Sequence, residues 1–182
     1  MSILFMLAAQ PAWSQITLLE LVDKQFESTL YMDAKAHIQL SEKVVEAIQH
    51  EIPIQFITQI ELTRRDQIFI FPYNSQQTRI DYTTELSYSH YDRRYKLHNL
   101  RNQNILYFSQ LEPALATLGE IQNFPITSLN QLHSGLRYKL KLRFRLNYWS
   151  LPAPMFTQAL LDADWRFKSE WFELDVQTGR RR

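Results

Sequence analysis

Apolar side chains recur at every second position in several segments of this chain, a pattern typical of strands with one buried face. The alternation runs through 30–40, 54–62, 80–88 and 136–148, and it is clearest in the last of these. The pattern predicts a chain built mainly from half-buried strands.

Shorter strands are predicted between and after these segments. Asp92-Arg93 is a turn signal before a return strand, and 101–104 is a turn before a strand at 105–108. The stretch 64–78 contains Pro72-Tyr73-Asn74-Ser75 and is predicted to turn rather than to form a strand. A last pair of strands is predicted over 155–167 and 170–176.

Two segments change to the helical period. Ser41 is a candidate N-cap for a helix whose apolar face carries Val44, Val45, Ile48 and Ile52. Ser109 and Glu112 have the spacing of a capping box, which predicts a second helix through Leu118. One further short helical turn is predicted at 128–132.

The elements predict a single α+β domain over 15–176, mainly antiparallel β, with six to eight strands and two main helices inserted. A two-layer sandwich fits the length best. The alternative is one curved sheet with both helices packed on one face. Residues 177–182 lack apolar anchors and are expected to be a disordered tail.

Residues 1–14 have the pattern of an export signal. The apolar run 3–9 is followed by Ala12-Trp13-Ser14, a small-x-small site for cleavage after Ser14. No Lys or Arg precedes the run, which suggests that the true start lies upstream of Met1. The alternative is a buried N-terminal strand or short helix. The signal predicts an exported, periplasmic protein.

The amino-acid composition excludes several classes of active site and binding site. The 182 residues carry a net charge of +1, no cysteine and three glycines. Disulfides, thiolate metal sites and cysteine nucleophiles are therefore excluded, as are the glycine-rich phosphate loops and the Gly-x-Ser-x-Gly nucleophile turn. No carboxylate pair stands out as acid and base. We expect no cofactor and no enzymatic activity.

The clearest strand carries an uninterrupted series of basic residues on its polar face. They are Arg137, Lys139, Lys141, Arg143 and Arg145. Residues two apart on a strand are about 6.6 Å apart, so this basic stripe would be about 26 Å long. It is a candidate binding surface for an acidic partner, a phosphate-rich ligand or an anionic lipid head group. Alternatively, acidic residues at 155–176 pair with it across the sheet: Asp162, Asp164, Glu170, Glu173 and Asp175.

The remaining candidates favour structural roles. The five histidines lack a local metal-binding spacing, and Asp162-x-Asp164 lacks the glycine and trailing Glu of a calcium loop. Tyrosines near one hairpin are interpreted as core edges, so no nucleic acid is expected as a partner. Trp149, Trp165 and Trp171 are expected to be buried anchors of the fold.

A series of short stretches carries a resemblance to a known family. They are His50-Glu51-Ile52-Pro53-Ile54-Gln55-Phe56, Ile60-Glu61-Leu62-Thr63-Arg64, Leu86-Ser87-Tyr88, the helix at 114–119, the strand at 138–146, Leu151-Pro152-Ala153-Pro154, Asp164-Trp165 and Ser169-Glu170-Trp171. In order and spacing they resemble the proteobacterial domain-of-unknown-function family numbered 4390, over residues 20–175. The resemblance implies an exported protein of the bacterial envelope, encoded near a membrane sensor kinase of the two-component type. It implies no catalytic residues.

These expectations lead to three functional hypotheses, of which the third, a hydrolase with dispersed residues, has no motif to support it. The first is a non-enzymatic protein-interaction module of the envelope, with the outer domain of a two-component sensor kinase as a candidate partner. The second is a periplasmic carrier of a small ligand or lipid, because sandwiches and curved sheets with helical lids can enclose an apolar cavity. No transmembrane segment is expected in the mature chain.

Overall fold

The structure is a computed structural model that describes residues 15–68 and 71–177, with the side chains of 65–68 and 71–75 left out of the description. Nine strands and three α-helices are present in this part of the chain. They are β1 (Gln15–Phe26), β2 (Thr29–Gln39), α1 (Glu42–Gln49), β3 (Ile54–Ile68), β4 (Phe71–Ser89), β5 (Arg94–Asn99), β6 (Asn104–Phe108), α2 (Leu111–Leu118), β7 (Glu120–Ser128), β8 (Arg137–Leu146), α3 (Ala153–Leu161) and β9 (Phe172–Gln177).

The strands form two antiparallel sheets. One has three strands in the order β1-β2-β7, and the other has six in the order β6-β5-β4-β3-β8-β9. The predicted α+β class with mainly antiparallel strands is confirmed. The strand count is higher than the six to eight predicted, because β1 and β7 carry no clear apolar alternation.

The inner faces of both sheets contribute to one apolar core. On β2 the alternating residues from Leu30 to Ile38 are all buried, and on β8 the residues from Tyr138 to Leu146 are buried in the same way. Phe56 packs edge-to-face against Phe167, with ring centroids 5.0 Å apart. Two sheets sharing one core correspond to the predicted two-layer arrangement rather than to a single curved sheet.

Helices α1 and α2 begin differently. Ser41 is the N-cap of α1, as predicted, and its Oγ accepts a hydrogen bond from the Val44 amide at 3.4 Å. The predicted capping box of α2 is wrong, since α2 begins one residue later with Gln110 as its N-cap and without a side-chain capping bond. After α2 the chain passes close to β2: a Cβ at Gly119 would lie 2.2 Å from the Ala36 carbonyl oxygen, so only glycine fits there.

The predicted turn at Pro72-Tyr73-Asn74-Ser75 is wrong, since these residues belong to β4. Strands β3 and β4 form a long hairpin in which Ile68 lies opposite Phe71. Pairing of β3 with β8 ends at Arg64, so the hairpin continues as a two-stranded ribbon. Pro72 is compatible with this position because one edge of β4 has no neighbouring strand there.

The predicted strand at 155–167 is also wrong. The segment forms α3, followed by a single 3₁₀ turn at Ala163–Trp165. Pro152 is the N-cap and Pro154 lies in the first turn, where proline fixes a backbone angle that suits a helix.

The predicted end of the domain at residue 176 lies within β9. Gln177 is the last residue of β9, so it is part of the fold rather than of a tail. The predicted signal at 1–14 and the rest of the predicted tail, 178–182, lie outside the described residues. Within the described part, none of the helices is long and apolar enough to cross a membrane.

Candidate binding surface

The basic stripe lies on the outward face of β8. Alternate residues of β8 point into the core, so the five basic side chains all point away from it, as the sequence predicts. Arg137 is exposed and the other four are half-buried. In the six-stranded sheet β8 lies between β3 and β9, so these two strands decide what the basic residues contact.

One end of the stripe is neutralised by β9. Lys141 lies opposite Glu173 in the register. The Glu173 carboxylate accepts from Lys139 at 2.6 Å and lies 3.3 Å from Lys141 Nζ. The hydrogen bond from Lys139 lowers the pKa of Glu173, aided by Lys141 and opposed by partial burial. This half of the stripe behaves as an ordinary cross-strand charge cluster.

The other end has a neutral partner. Gln59 of β3 lies opposite Arg143 and is only 1% exposed, although it is on the solvent-facing side of its strand. Its Oε1 accepts from Nε and Nη2 of Arg143 at 3.0 and 2.5 Å, and from Nε of Arg145 at 3.2 Å. Two guanidinium groups therefore converge on one uncharged oxygen.

Neighbouring groups hold this arrangement in place. Nε2 of Gln59 donates to Asp81 at 3.2 Å, and Asp81 also accepts from Arg79 at 3.0 Å. The indole of Trp171 lies 4.1 Å from the Arg143 guanidinium carbon, in cation–π geometry. The carboxamide of Gln59 is thus oriented from one side and Arg143 from the other.

A third cation lies beside the two arginines. Lys168 forms an antiparallel bridge with Arg145, which places the two residues directly opposite each other. Among the described residues, no carboxylate oxygen lies within 4.0 Å of a nitrogen of Arg143, Arg145 or Lys168. Glu170 is exposed and makes no ion pair in the described structure. We call Arg143, Arg145 and Lys168 the arginine cluster.

The acidic residues at 155–176 thus pair with the stripe only in part. Glu173 contacts two of its lysines, whereas Asp162 and Asp164 contact Lys43 of α1 at 2.5 and 3.0 Å. That ion pair raises the pKa of Lys43 through its hydrogen bonds to Asp162 and then Asp164. The Lys43 amine therefore contacts both carboxylates of Asp162-x-Asp164, and the described residues contain no cluster suited to a metal ion.

The tryptophans divide into three environments. Trp165 is buried, as predicted, and Trp171 is half-buried beneath Arg143. The predicted burial of Trp149 is wrong, since it is 81% exposed and packs only one face near Phe156, with ring centroids 4.8 Å apart. Trp149 follows the end of β8 in a 3₁₀ turn, which points its side chain away from the core.

The tyrosines act mostly as predicted core edges. Tyr88 packs against the buried Tyr95 at 4.8 Å between ring centroids, and Tyr82 stacks on Phe124 at 5.6 Å. Burial raises the pKa of Tyr82. Tyr91 is the exception and is almost fully exposed at the hairpin turn.

Sequence reasoning missed Gln59 and Trp171 as part of the surface. Gln59 is polar at a solvent-facing position of a predicted strand, so nothing in the pattern indicates burial. Trp171 was noted, but its position beneath Arg143 depends on how the chain approaches β9. Only the pairing of strands distant in sequence brings these residues to β8.

A groove of about 620 Å³ lies between the edge strands β1 and β9. The Gln25 side chain crosses it, donating to the Gln177 carbonyl at 2.9 Å. The lining is mostly polar or charged: Leu21, Val22, Asp23, Lys24, Gln25, Leu174, Asp175 and Gln177. Leu21, Val22 and Leu174 are the apolar residues of this lining, so a lipid chain in the groove would also lie against polar and charged side chains.

Comparison with known proteins yields one match. Residues 13–175 match the family described as a domain of unknown function, DUF4390. No curated protein and no solved structure matches the chain significantly.

Proposed function

The chain belongs to the DUF4390 family, and on that premise we propose that it is a non-enzymatic protein-interaction module of the bacterial envelope. The module is exported to the periplasm and binds an acidic surface of a membrane protein. The outer domain of a two-component sensor kinase is the candidate partner.

The arginine cluster is the observation that supports this proposal. Cations on a sheet face usually pair with cross-strand carboxylates, as Lys139 and Lys141 do with Glu173. Arg143 and Arg145 converge on Gln59, and Lys168 lies opposite Arg145, without such a partner among the described residues. Unpaired charges at a surface favour association with a complementary, negatively charged surface.

The residue types at this position also suit an interface. Arginine and tryptophan are enriched among the residues that contribute most to binding between proteins. Arg143 and Trp171 are stacked here and only partly exposed. A partner would meet side chains that are already ordered, so it would lose less conformational entropy on binding.

Cross-linking in native cells tests the proposal. A tagged full-length chain is cross-linked, and the proteins attached to it in the envelope fraction are identified. We expect one specific partner with the wild type and its loss with Arg143→Glu. Failure to capture any specific partner would contradict the proposal.

Arg94→Glu is the matched control. Arg94 is exposed on β5, three strands away from β8 on the same face of the same sheet. The change in net charge is identical, so partner capture should persist. Equal loss with both variants would mean that overall charge, rather than this surface, is responsible.

The carrier hypothesis is the second candidate function, and the groove between β1 and β9 is the observation that favours it. Native mass spectrometry of gently purified protein would show a co-purifying ligand. A bound lipid would favour the carrier, and a mass without any co-purifying ligand would favour the interaction module.

A further inference from the structure

The arginine cluster has hydrogen-bonding capacity beyond its described contacts. Each guanidinium carries five N–H donors in a planar fork. Arg143 uses two of its nitrogens on Gln59, and Arg145 uses one. The described residues provide no carboxylate for the remaining donors, and both side chains keep part of their surface in solvent.

The cluster is also electrostatically unfavourable on its own. Like charges directly opposite each other on neighbouring strands destabilise a sheet, and Arg145 lies opposite Lys168. Arg143 and Arg145 are brought together by their shared acceptor, Gln59. An anion seated among the three would remove this repulsion and use the donors that point away from Gln59.

The geometry is organised in advance of any ligand. Gln59 is buried and fixed through Asp81, while Trp171 supports the Arg143 guanidinium from the other side. Guanidinium groups held in this way bind carboxylate or phosphate oxygens in pairs. Little side-chain entropy would be lost when an anion binds.

The surrounding charges favour a singly charged group. Asp81 lies behind Gln59, Glu170 lies between Lys168 and Trp171 in the sequence, and Glu173 neutralises the adjacent lysines. These carboxylates reduce the local positive potential. A carboxylate, with two oxygens and a single charge, matches two guanidinium groups whose positive charge is partly offset in this way.

We infer that Arg143, Arg145 and Lys168 form a seat for one carboxylate side chain of an acidic segment in the partner. The inference rests on the proposed function in one respect: it names the group of the partner that this surface holds. Binding of the carboxylate itself can be measured without the partner.

The test uses a short all-glutamate peptide, with an all-glutamine peptide of equal length and inorganic phosphate as comparisons at matched ionic strength. Binding is followed by the NMR signals of the arginine Nε–H groups. We expect the signals of Arg143 and Arg145 to move saturably with the glutamate peptide and not with the glutamine peptide. Tighter binding of phosphate would overturn the assignment to a carboxylate.

Two variants locate the site. Arg145→Gln should weaken peptide binding by about tenfold, the effect of losing one charge-assisted contact of about 1.4 kcal/mol. Lys139→Gln removes a cation from the same stripe that already contacts Glu173, and should change the affinity by less than about twofold. Equal losses in both variants would overturn the inference. Lys168→Gln replaces Arg145→Gln if the latter fails to fold.

Failure of this inference is distinguishable from failure of the proposed function. If the peptide does not bind but envelope capture stays sensitive to Arg143→Glu, the surface is an interface and the carboxylate seat is wrong. If the peptide binds and no partner is captured in cells, the seat exists and the proposed interaction module is wrong.

Discussion

The two ends of the outward face of β8 differ although their sequence pattern is the same. At one end Lys139 and Lys141 contact the Glu173 carboxylate. At the other, Arg143 and Arg145 share the uncharged oxygen of Gln59. A row of like charges along one strand can therefore be paired with a carboxylate at one end and left without one at the other.

The difference comes from the strand next to β8. Beside the lysines, β9 is fully paired and presents Glu173. Beside the arginines, β9 has not yet begun, and the chain presents Lys168 and Trp171 instead. The position at which β9 begins therefore divides the basic stripe into a neutralised half and a charged half.

Gln59→Leu should have the largest effect on this comparison. It removes the buried carboxamide that hydrogen-bonds to two half-buried guanidinium groups and to the exposed Asp81. We expect the free energy of unfolding to fall by about 2 kcal/mol, because hydrogen bonds to three charged groups are lost at once. Urea unfolding measures it.

Gln55→Leu is the control for that substitution. Gln55 lies on the same face of β3 and bonds to Glu85 and Asn147, but it is more exposed. Gln55→Leu should lower the free energy of unfolding by about 1 kcal/mol. Equal effects at the two positions would show that Gln59 has no special role at the arginine cluster.

Arg143 and Trp171 should be energetically coupled. A double-mutant cycle with Arg143→Ala and Trp171→Ala should give a coupling of about 0.5–1 kcal/mol, the usual value for a partly exposed cation–π pair. Chemical denaturation of the four proteins measures it. Strictly additive losses would mean that the stacking contributes nothing to stability.

Glu173→Gln should alter the pH dependence of stability at the lysine end. Hydrogen bonding from Lys139 lowers the folded-state pKa of Glu173 below its ordinary value of 4.5. The ionised carboxylate therefore stabilises the fold above that pH, and the contribution is lost as the pH falls through the lowered pKa.

The variant should thus be less stable than the wild type at neutral pH, by less than about 1 kcal/mol because the pair is exposed. This difference in stability between the variant and the wild type should disappear in acid, as measured by thermal unfolding across a range of pH. Glu170→Gln removes a carboxylate that makes no ion pair in the described structure, and should show no comparable gap at neutral pH. A gap for Glu173→Gln that persists in acid would contradict the assignment.

The smallest expected difference between the two ends of the stripe is in how salt changes the stability of variants. Screening weakens the attraction of Lys139 for Glu173, so the stability lost in Lys139→Gln should shrink as salt rises. Screening also weakens the repulsion of Arg145 by Arg143 and Lys168, so Arg145→Gln should become relatively less stable as salt rises. Changes of a few tenths of a kcal/mol are expected, and salt slopes of the same sign would remove the distinction.

Periodicity predicted the elements that bury a face in the core. β2, the start of β3, β8 and α1 follow the apolar pattern and are confirmed. The ribbon of β3 and β4 was missed because Pro72-Tyr73-Asn74-Ser75 are typical turn residues, whereas backbone pairing continues β3 and β4 through this segment. α3 was mistaken for a strand because periodicity alone does not distinguish a strand from a helix in a short apolar segment.

The candidate surface was predictable in one respect only. The alternation in β8 is enough to place all five basic side chains on the outward face, because neighbouring side chains in a strand point to opposite sides. Which of them meet carboxylates depends on Gln59 and Glu173, which are distant from β8 along the chain.

Local periodicity is enough to derive the α+β class, the inward and outward faces of the main strands and the direction of the basic stripe. The folded arrangement is needed to derive the burial of Gln59, the exposure of Trp149 and the split of the stripe into a neutralised half and the arginine cluster. Electrostatic pairing depends on distances between strands, and these are set only when the register of the sheet is formed.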